Sequence, residues 1–232
     1  MNYQIYPLVY YPYMMGSSLG YFISLHDGFY PYSFGAAKSN EYDKSASNDK
    51  VRHSYDSSIL RFDKTYDDAL EVLKPFDKKY KYVMKCHWGH MTLDETFNNH
   101  IGKTVFPIII KINKRILNYA TNYCNLLECG GRDIWPERFS KIKIENDYFY
   151  EDEHVVNLYN TKNKDDFLIL DILKLYENDN TEYFKLCNFL GTNARTTAPE
   201  DFQKMKSYMN FEKCIDGDNT DYYTLTNLLS SI

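Results

Sequence analysis

A three-layer α/β domain with a mainly parallel central sheet is the fold this sequence predicts, and three observations predict it. Near the start, Ile5 to Tyr11 is a short run of β-branched and aromatic residues that ends at Pro12 and leads through Gly16, Ser17 and Ser18 into a stretch of helical period. Farther on, VFPIIIKI (Val105 to Ile112) is apolar almost without alternation, as a strand covered on both faces requires. Strand-like and helix-like segments alternate to the far end of the chain, and that alternation calls for parallel strands joined by helical crossovers.

The elements follow in order. Ile5 to Tyr11 is the first strand, and LGYFISLHDGF after it is a helix that buries Leu19, Phe22 and Ile23 and closes near Gly28. From about Pro31 to Arg61 the chain is polar, with SNEYDKSASNDK showing no apolar period. Loops of that length in a compact domain commonly act as lids or binding segments, so residues 31 to 61 are expected to form a mobile loop, either a cover for a substrate or an undirected insertion.

YDDALEVLKPF reads as a helix and KYVMKC (Lys81 to Cys86) as a second core strand, with His87 at its carboxyl end. TLDETFNNHIG follows as a helix capped by Thr92, then the strand Val105 to Ile112, then the helix NKRILNYATNYCNLL, which offers Ile116, Leu117, Ala120 and Leu127 to the core. EDEHVVNLYN reads as a helix, DDFLILDI as a buried strand, TEYFKLCNFLG as a helix ended by Gly191, and APEDFQKMKSYM as a last helix with Pro199 in its first turn.

Composition sets the outer limits. At 232 residues the chain is long enough for one sizeable core, and 44% hydrophobic with 25% charged residues is the balance of a folded globular protein. One domain over 1–232 is expected. The net charge of −5 supplies no basic field for a nucleic acid. Cys86, Cys124, Cys129, Cys187 and Cys214 are odd in number and lack a framework spacing, which fits a reducing, cytoplasmic setting. The first residues show no secretory signal, and no apolar run approaches the roughly 20 residues of a membrane span.

In open parallel sheets ligands bind beyond the carboxyl ends of the strands, so the residues following each strand carry the candidate chemistry. After the first strand, Gly16 permits close backbone approach, Ser17 and Ser18 offer hydroxyls, and the helix N-terminus directs free N–H groups at an anion. The same triplet also serves as an ordinary N-cap. After the second strand come Lys85, Cys86, His87 and Trp88, where a histidine is either a general base or a hydrogen-bonded surface residue. His87, His90, Cys86 and His100 match no closed zinc set, and no metal is assigned. After the third strand, Lys111, Asn113, Lys114 and Arg115 gather cations at a helix start, where they oppose the macrodipole; an anion between them would explain the placement, as would a solvated basic turn.

Taken together, YPYMMGSSLGYFISL, VMKCHW and IIIKINKRILNYA resemble, in order, the phosphate-gripping loop, the Lys-x-His and the Arg-Asp-Pro-Arg-like element of the P-loop sulfotransferase family. FLILDILKLYENDNTEYFKLCNFLG is similar to the late strand and the Phe-Leu-Gly helix end of that family. The resemblance implies a P-loop NTPase-like fold and transfer of a sulfuryl group from 3'-phosphoadenosine 5'-phosphosulfate to a hydroxyl or amine of a small-molecule or glycan acceptor. It implies that Gly16, Ser17, Ser18 and Leu19 hold the 5'-phosphosulfate, that His87 is the base, and that Lys111 and Lys114 stand where the family has arginines near the 3'-phosphate.

Three departures accompany it. Met14 replaces the basic loop residue, so Lys85 or Lys38 would have to supply that charge; lysines replace both arginines; and Tyr119, beside Asn118, matches the serine of the 3'-phosphate site. A non-catalytic binding or structural protein on the same fold is the alternative. A nucleoside-triphosphate kinase ranks below both, because the Gly-Lys-Ser/Thr ending is absent.

Overall fold

The computed structural model describes residues 2–10, 13–30, 66–74, 76–87, 97, 99–126, 163, 165–208 and 211–215. The expected loop at 31–61, the helix read in EDEHVVNLYN and Leu127 lie outside the described residues, as does most of the helix expected from Thr92. Four parallel strands form the sheet: β1 (Gln4–Tyr10), β2 (Lys81–His87), β3 (Ile108–Ile110) and β4 (Leu168–Leu170), in the spatial order β2-β1-β3-β4. The α/β class and the parallel sheet read from the sequence are therefore the ones found.

Residues on a strand alternate between faces, so consecutive buried residues mean that both faces are covered. Ile5 to Tyr10 in β1 and Ile108 to Ile110 in β3 are all buried. β1 is the first strand in sequence yet lies inside the sheet, with β2 on one side and β3 on the other. The chain thus leaves β1 toward one side and later returns to the other, which places a topological switch point at the carboxyl ends of β1 and β3.

The strand expected over Val105 to Ile112 is shorter than its apolar run. Ile5 donates its N–H to Thr104 O (2.8 Å) and accepts from Phe106 N–H (2.8 Å), so β1 and this segment begin to pair at the Ile5–Val105 bridge. Two residues on, Pro7 has no N–H to repeat the bond, and regular pairing resumes only at Leu8 with Ile108. Pro107 is tolerated because its carbonyl faces β4, accepting from Leu168 N–H at 2.8 Å just as that strand begins.

Helix α1 (Gly16–Ser24) packs on β1 and β2 with Leu19, Phe22 and Ile23 fully buried, as expected. Helix α2 (Tyr66–Leu73) precedes β2, and α3 (Lys114–Leu126) follows β3, opened by Asn113, whose side-chain oxygen accepts from Ile116 N–H at 2.9 Å. After β4, Asp171 caps a short helix, α4 (Ile172–Tyr176), which sequence periodicity misses because five residues show no period.

Helix α5 (Asn180–Leu190) is capped by Asp179, which accepts from Thr181 and Glu182 N–H; these bonds hold its carboxyl below the usual range. It ends at Gly191, whose φ of 60° suits glycine. Helices α6 (Ala198–Tyr208) and α7 (Phe211–Ile215) complete the description. Among the described residues, no helix is long and apolar enough to cross a membrane.

Candidate functional site

Parallel strands bring their carboxyl ends to one edge, and three of the expected site segments meet there. In the register of the sheet, His87 is the partner of Tyr10, the last residue of β1. On the other side, β3 ends at Ile110 and passes through Lys111 and Asn113 into α3. Neighbouring strands lie about 4.8 Å apart, so the backbone at His87 and that near Lys111 are separated by about 10 Å, with the turn after β1 between them.

That turn has an unusual backbone. Tyr13 and Met15 take positive φ, 67° and 57°, while Met14 and Gly16 do not. The sign of φ thus alternates along the turn, a feature it shares with the backbone concavities that bind anions through successive N–H groups. Left-handed conformations cost an ordinary L-residue roughly 1–2 kcal/mol each, so Tyr13 and Met15 are held there by their surroundings. Met15 is also the N-cap of α1, and no side chain accepts from the first turn of that helix at the capping position. Gly16 is required for space: a Cβ there would lie 2.2–2.3 Å from ring atoms of Tyr10.

Four side chains at this turn face inward. Met14 and Leu19 are fully buried, and Met15 and Ser18 nearly so. Ser18 hydroxyl donates to Met15 O at 2.7 Å and lies 2.8 Å from the hydroxyl of Tyr176, at the end of α4. Among the expected ligand-holding groups, Ser18 therefore contributes its backbone to the edge, while its hydroxyl serves the interior. The Ser17 side chain, and those of Lys85, Cys86 and His87, lie outside the described residues, although the backbone of each is placed.

At the end of β3, Lys111 is half-buried and its N–H donates to Leu170 O at 2.8 Å, tying this stretch to β4. Lys114 is exposed in the first turn of α3. Arg115 is held by Glu177 through two hydrogen bonds, Nη1 to Oε2 at 2.9 Å and Nη2 to Oε1. Asn118 is exposed. Tyr119 is fully buried, stacks on Tyr123 and lies against Phe211 of α7; burial drives its phenol far above the ordinary tyrosine range. The structure thus brings the turn, His87, Lys111 and Lys114 to one edge and sets the Tyr119 side chain in the core.

Two groups of functional interest escaped the sequence reading. Tyr176 belongs to the unexpected short helix, and its contact with Ser18 spans 158 residues, so no local signal could reveal it. The second group surrounds buried His26 at the far end of α1. His26 Nδ1 lies 3.1 Å from Phe22 O and Nε2 lies 3.1 Å from the Tyr183 hydroxyl, which also accepts from Arg195 N–H at 2.7 Å. Burial holds the imidazole below its ordinary pKa. At the amino edge of the sheet, opposite the candidate site, a cavity of about 480 Å³ is lined by Tyr3, Tyr66, Lys74, Lys78 and His100 among others.

No family model and no curated protein matches this chain. Among solved structures, a crystal structure of retinol dehydratase in complex with androsterone and inactive cofactor PAP aligns with a TM-score of 0.42 and 16% identity. The alignment covers 90% of this chain and 65% of that one, so the chain spans less than two thirds of that protein's length. A likeness of this size assigns neither a family nor a ligand.

Proposed function

We propose that this chain binds 3'-phosphoadenosine 5'-phosphosulfate at the carboxyl edge of the sheet and transfers its sulfuryl group to a hydroxyl or amine of a small-molecule or glycan acceptor. The observation that carries the reading is the alternating backbone over Tyr13 to Gly16, which offers an anion successive N–H groups at the switch point beside β3. Supporting it are the order of the three sequence segments and their meeting at one edge. The fit is to backbone more than side chain. N–H groups of Gly16, Ser17 and Ser18 would face the 5'-phosphosulfate and Lys111 and Lys114 the 3'-phosphate, while Leu19 N–H is taken up by Met15 O at 3.0 Å inside the helix.

In the proposed reaction the acceptor oxygen or nitrogen attacks sulfur as the bond from sulfur to the bridging phosphate oxygen breaks. The electron pair leaves with adenosine 3',5'-bisphosphate, and His87 takes the acceptor proton. Donors fixed in advance at the bridging oxygen lower the barrier because they need no reorganisation as charge develops. Lys85, two residues before His87, is the cation proposed to stand in for the base absent at Met14.

A second reading is a binding protein without catalysis, and one observation favours it: Met14 is fully buried where the sulfotransferase resemblance calls for a basic residue. Calorimetric titration with adenosine 3',5'-bisphosphate, followed by single-turnover transfer from labelled donor, separates the two. Nucleotide binding with transfer abolished in His87→Ala supports the enzyme. Binding without transfer supports the second reading, and no binding at millimolar nucleotide removes both.

A further inference from the structure

We infer that Tyr176 is a positioning residue for the turn after β1, holding Met15 in its left-handed conformation through the Ser18 hydroxyl. The inference rests on the reading of that turn as the anion site. Ser18 has one hydroxyl proton and gives it to Met15 O at 2.7 Å, so across the 2.8 Å contact Tyr176 is the donor and Ser18 the acceptor. A chain of fixed polarity results: Tyr176 to Ser18 to the carbonyl of the left-handed residue. The same carbonyl accepts Leu19 N–H at 3.0 Å. Another acceptor near the Tyr176 hydroxyl is Met205 Sδ at 3.8 Å, a weak one.

A serine bonding back to a carbonyl three residues earlier is a common helix device. Two further observations give this one a larger role. The carbonyl belongs to the residue whose φ of 57° shapes the turn, and that residue has no side-chain cap to hold it. In addition, Tyr176 is followed by Glu177, which grips Arg115 in the first turn of α3. Consecutive residues at the end of α4 thus reach both strand ends of the proposed site, one fixing the β1 turn and the other the start of α3. Tyr176 is fully buried, with Ser18 and Met205 beside its hydroxyl, which is the reason to assign it positioning and not contact.

The test titrates adenosine 3',5'-bisphosphate into wild type, Tyr176→Phe, Ser18→Ala, Ser18→Thr and the Tyr176→Phe/Ser18→Ala double variant, with amide resonances of residues 13–18 recorded for each. Tyr176→Phe is expected to weaken binding about fivefold, the effect of one neutral hydrogen bond, and to move those amides. Ser18→Ala should do the same, Ser18→Thr should restore binding, and the double variant should bind no more weakly than either single one, because both break the same chain.

Folded Tyr176→Phe with wild-type affinity and unmoved amides overturns the inference. If Tyr176→Phe does not fold, Ser18→Ala decides in the same way. Wild type that binds no nucleotide overturns the anion-site reading instead; the amide shifts then still decide whether Tyr176 holds the turn.

Discussion

The two ends of α1 are built on different principles. At its carboxyl end, donors and acceptors match in sequence: Arg195 N–H donates to the Tyr183 hydroxyl, Tyr183 to His26 Nε2, and His26 Nδ1–H to Phe22 O. The Arg195 guanidinium also reaches Leu25 O, Thr197 and Asp201, which joins α1 to the start of α6. At its amino end, Met15 is left-handed with no side-chain cap, Gly16 lies against the Tyr10 ring, and the Ser18 hydroxyl is turned inward. One end lowers the energy of the fold; the other holds strain of the kind that accompanies binding sites.

The comparison can be broken most sharply at Gly16. A methyl group at that position meets Tyr10, which is itself buried, so either the ring or the start of α1 must move. Gly16→Ala is expected to cost about 3 kcal/mol in urea unfolding, at the upper end for overpacking, and to abolish nucleotide binding. A variant as stable as wild type would mean that the turn is not held tightly against β1. At the other end, Arg195→Met removes the bonds to Leu25 O, Thr197 and Asp201 while keeping the apolar stem. A loss of about 2 kcal/mol is expected, with nucleotide affinity unchanged. Coupled loss of affinity would show that the two ends are not independent.

Much of this architecture was legible in the sequence because it depends on local signals. Leu19, Phe22 and Ile23 at helical spacing, three isoleucines in a row and Gly191 after an apolar helix each state their role within a few residues. The start of β3 was less legible, since Pro7 on the neighbouring strand delays its regular pairing to Ile108 although the apolar run begins at Val105. Tyr119 stands in the motif at a place that suggests a ligand contact, and its ring is buried against Tyr123 and Phe211, contacts that no motif spacing encodes. The edge could be located from strand order, but the direction of the Ser18 hydroxyl follows from Tyr176, which no spacing rule connects to it.

Acid sharpens the comparison at the His26 end. The His26 pKa is lowered first by burial and also by the nearby Arg195 charge, while Asp201 and the backbone hydrogen bonds of Phe22 and Ile23 oppose the shift. Tyr183 and Cys187 of α5 face the same ring, the Cys187 thiol at 3.9 Å from Nε2. The unfolded chain protonates this residue near pH 6.5 and the folded chain resists, so the unfolded state holds more protons below that pH. Stability is expected to fall as pH drops below about 6.5, with a slope of at most about 1.4 kcal/mol per pH unit from this one group. Urea midpoints from pH 7.5 to 5 should show the decline in wild type and a flatter curve in His26→Gln; parallel curves would remove His26 as its source.

The smallest effect is expected at Lys81, where the amino edge of the sheet meets the end of α5. Lys81 is the first residue of β2, and its backbone pairs with the chain leaving α1: its N–H donates to Gly28 O and its carbonyl accepts from Tyr30 N–H. Its ammonium donates to Leu190 O at 2.5 Å and reaches Gly191 O, carbonyls left open at the end of α5. A cation there complements the helix dipole, although partial burial lowers the lysine pKa and offsets part of the gain. Lys81→Met keeps the stem over the Phe29 ring and removes the charge, so a loss of about 1 kcal/mol is expected, with faster amide exchange in the last turn of α5. Nucleotide affinity should stay at its wild-type value, because this contact lies at the opposite edge from the Tyr13–Gly16 turn. A drop in affinity at Lys81 would show that the amino edge feeds strain into that turn, and the division between the two ends of α1 would then have to be redrawn.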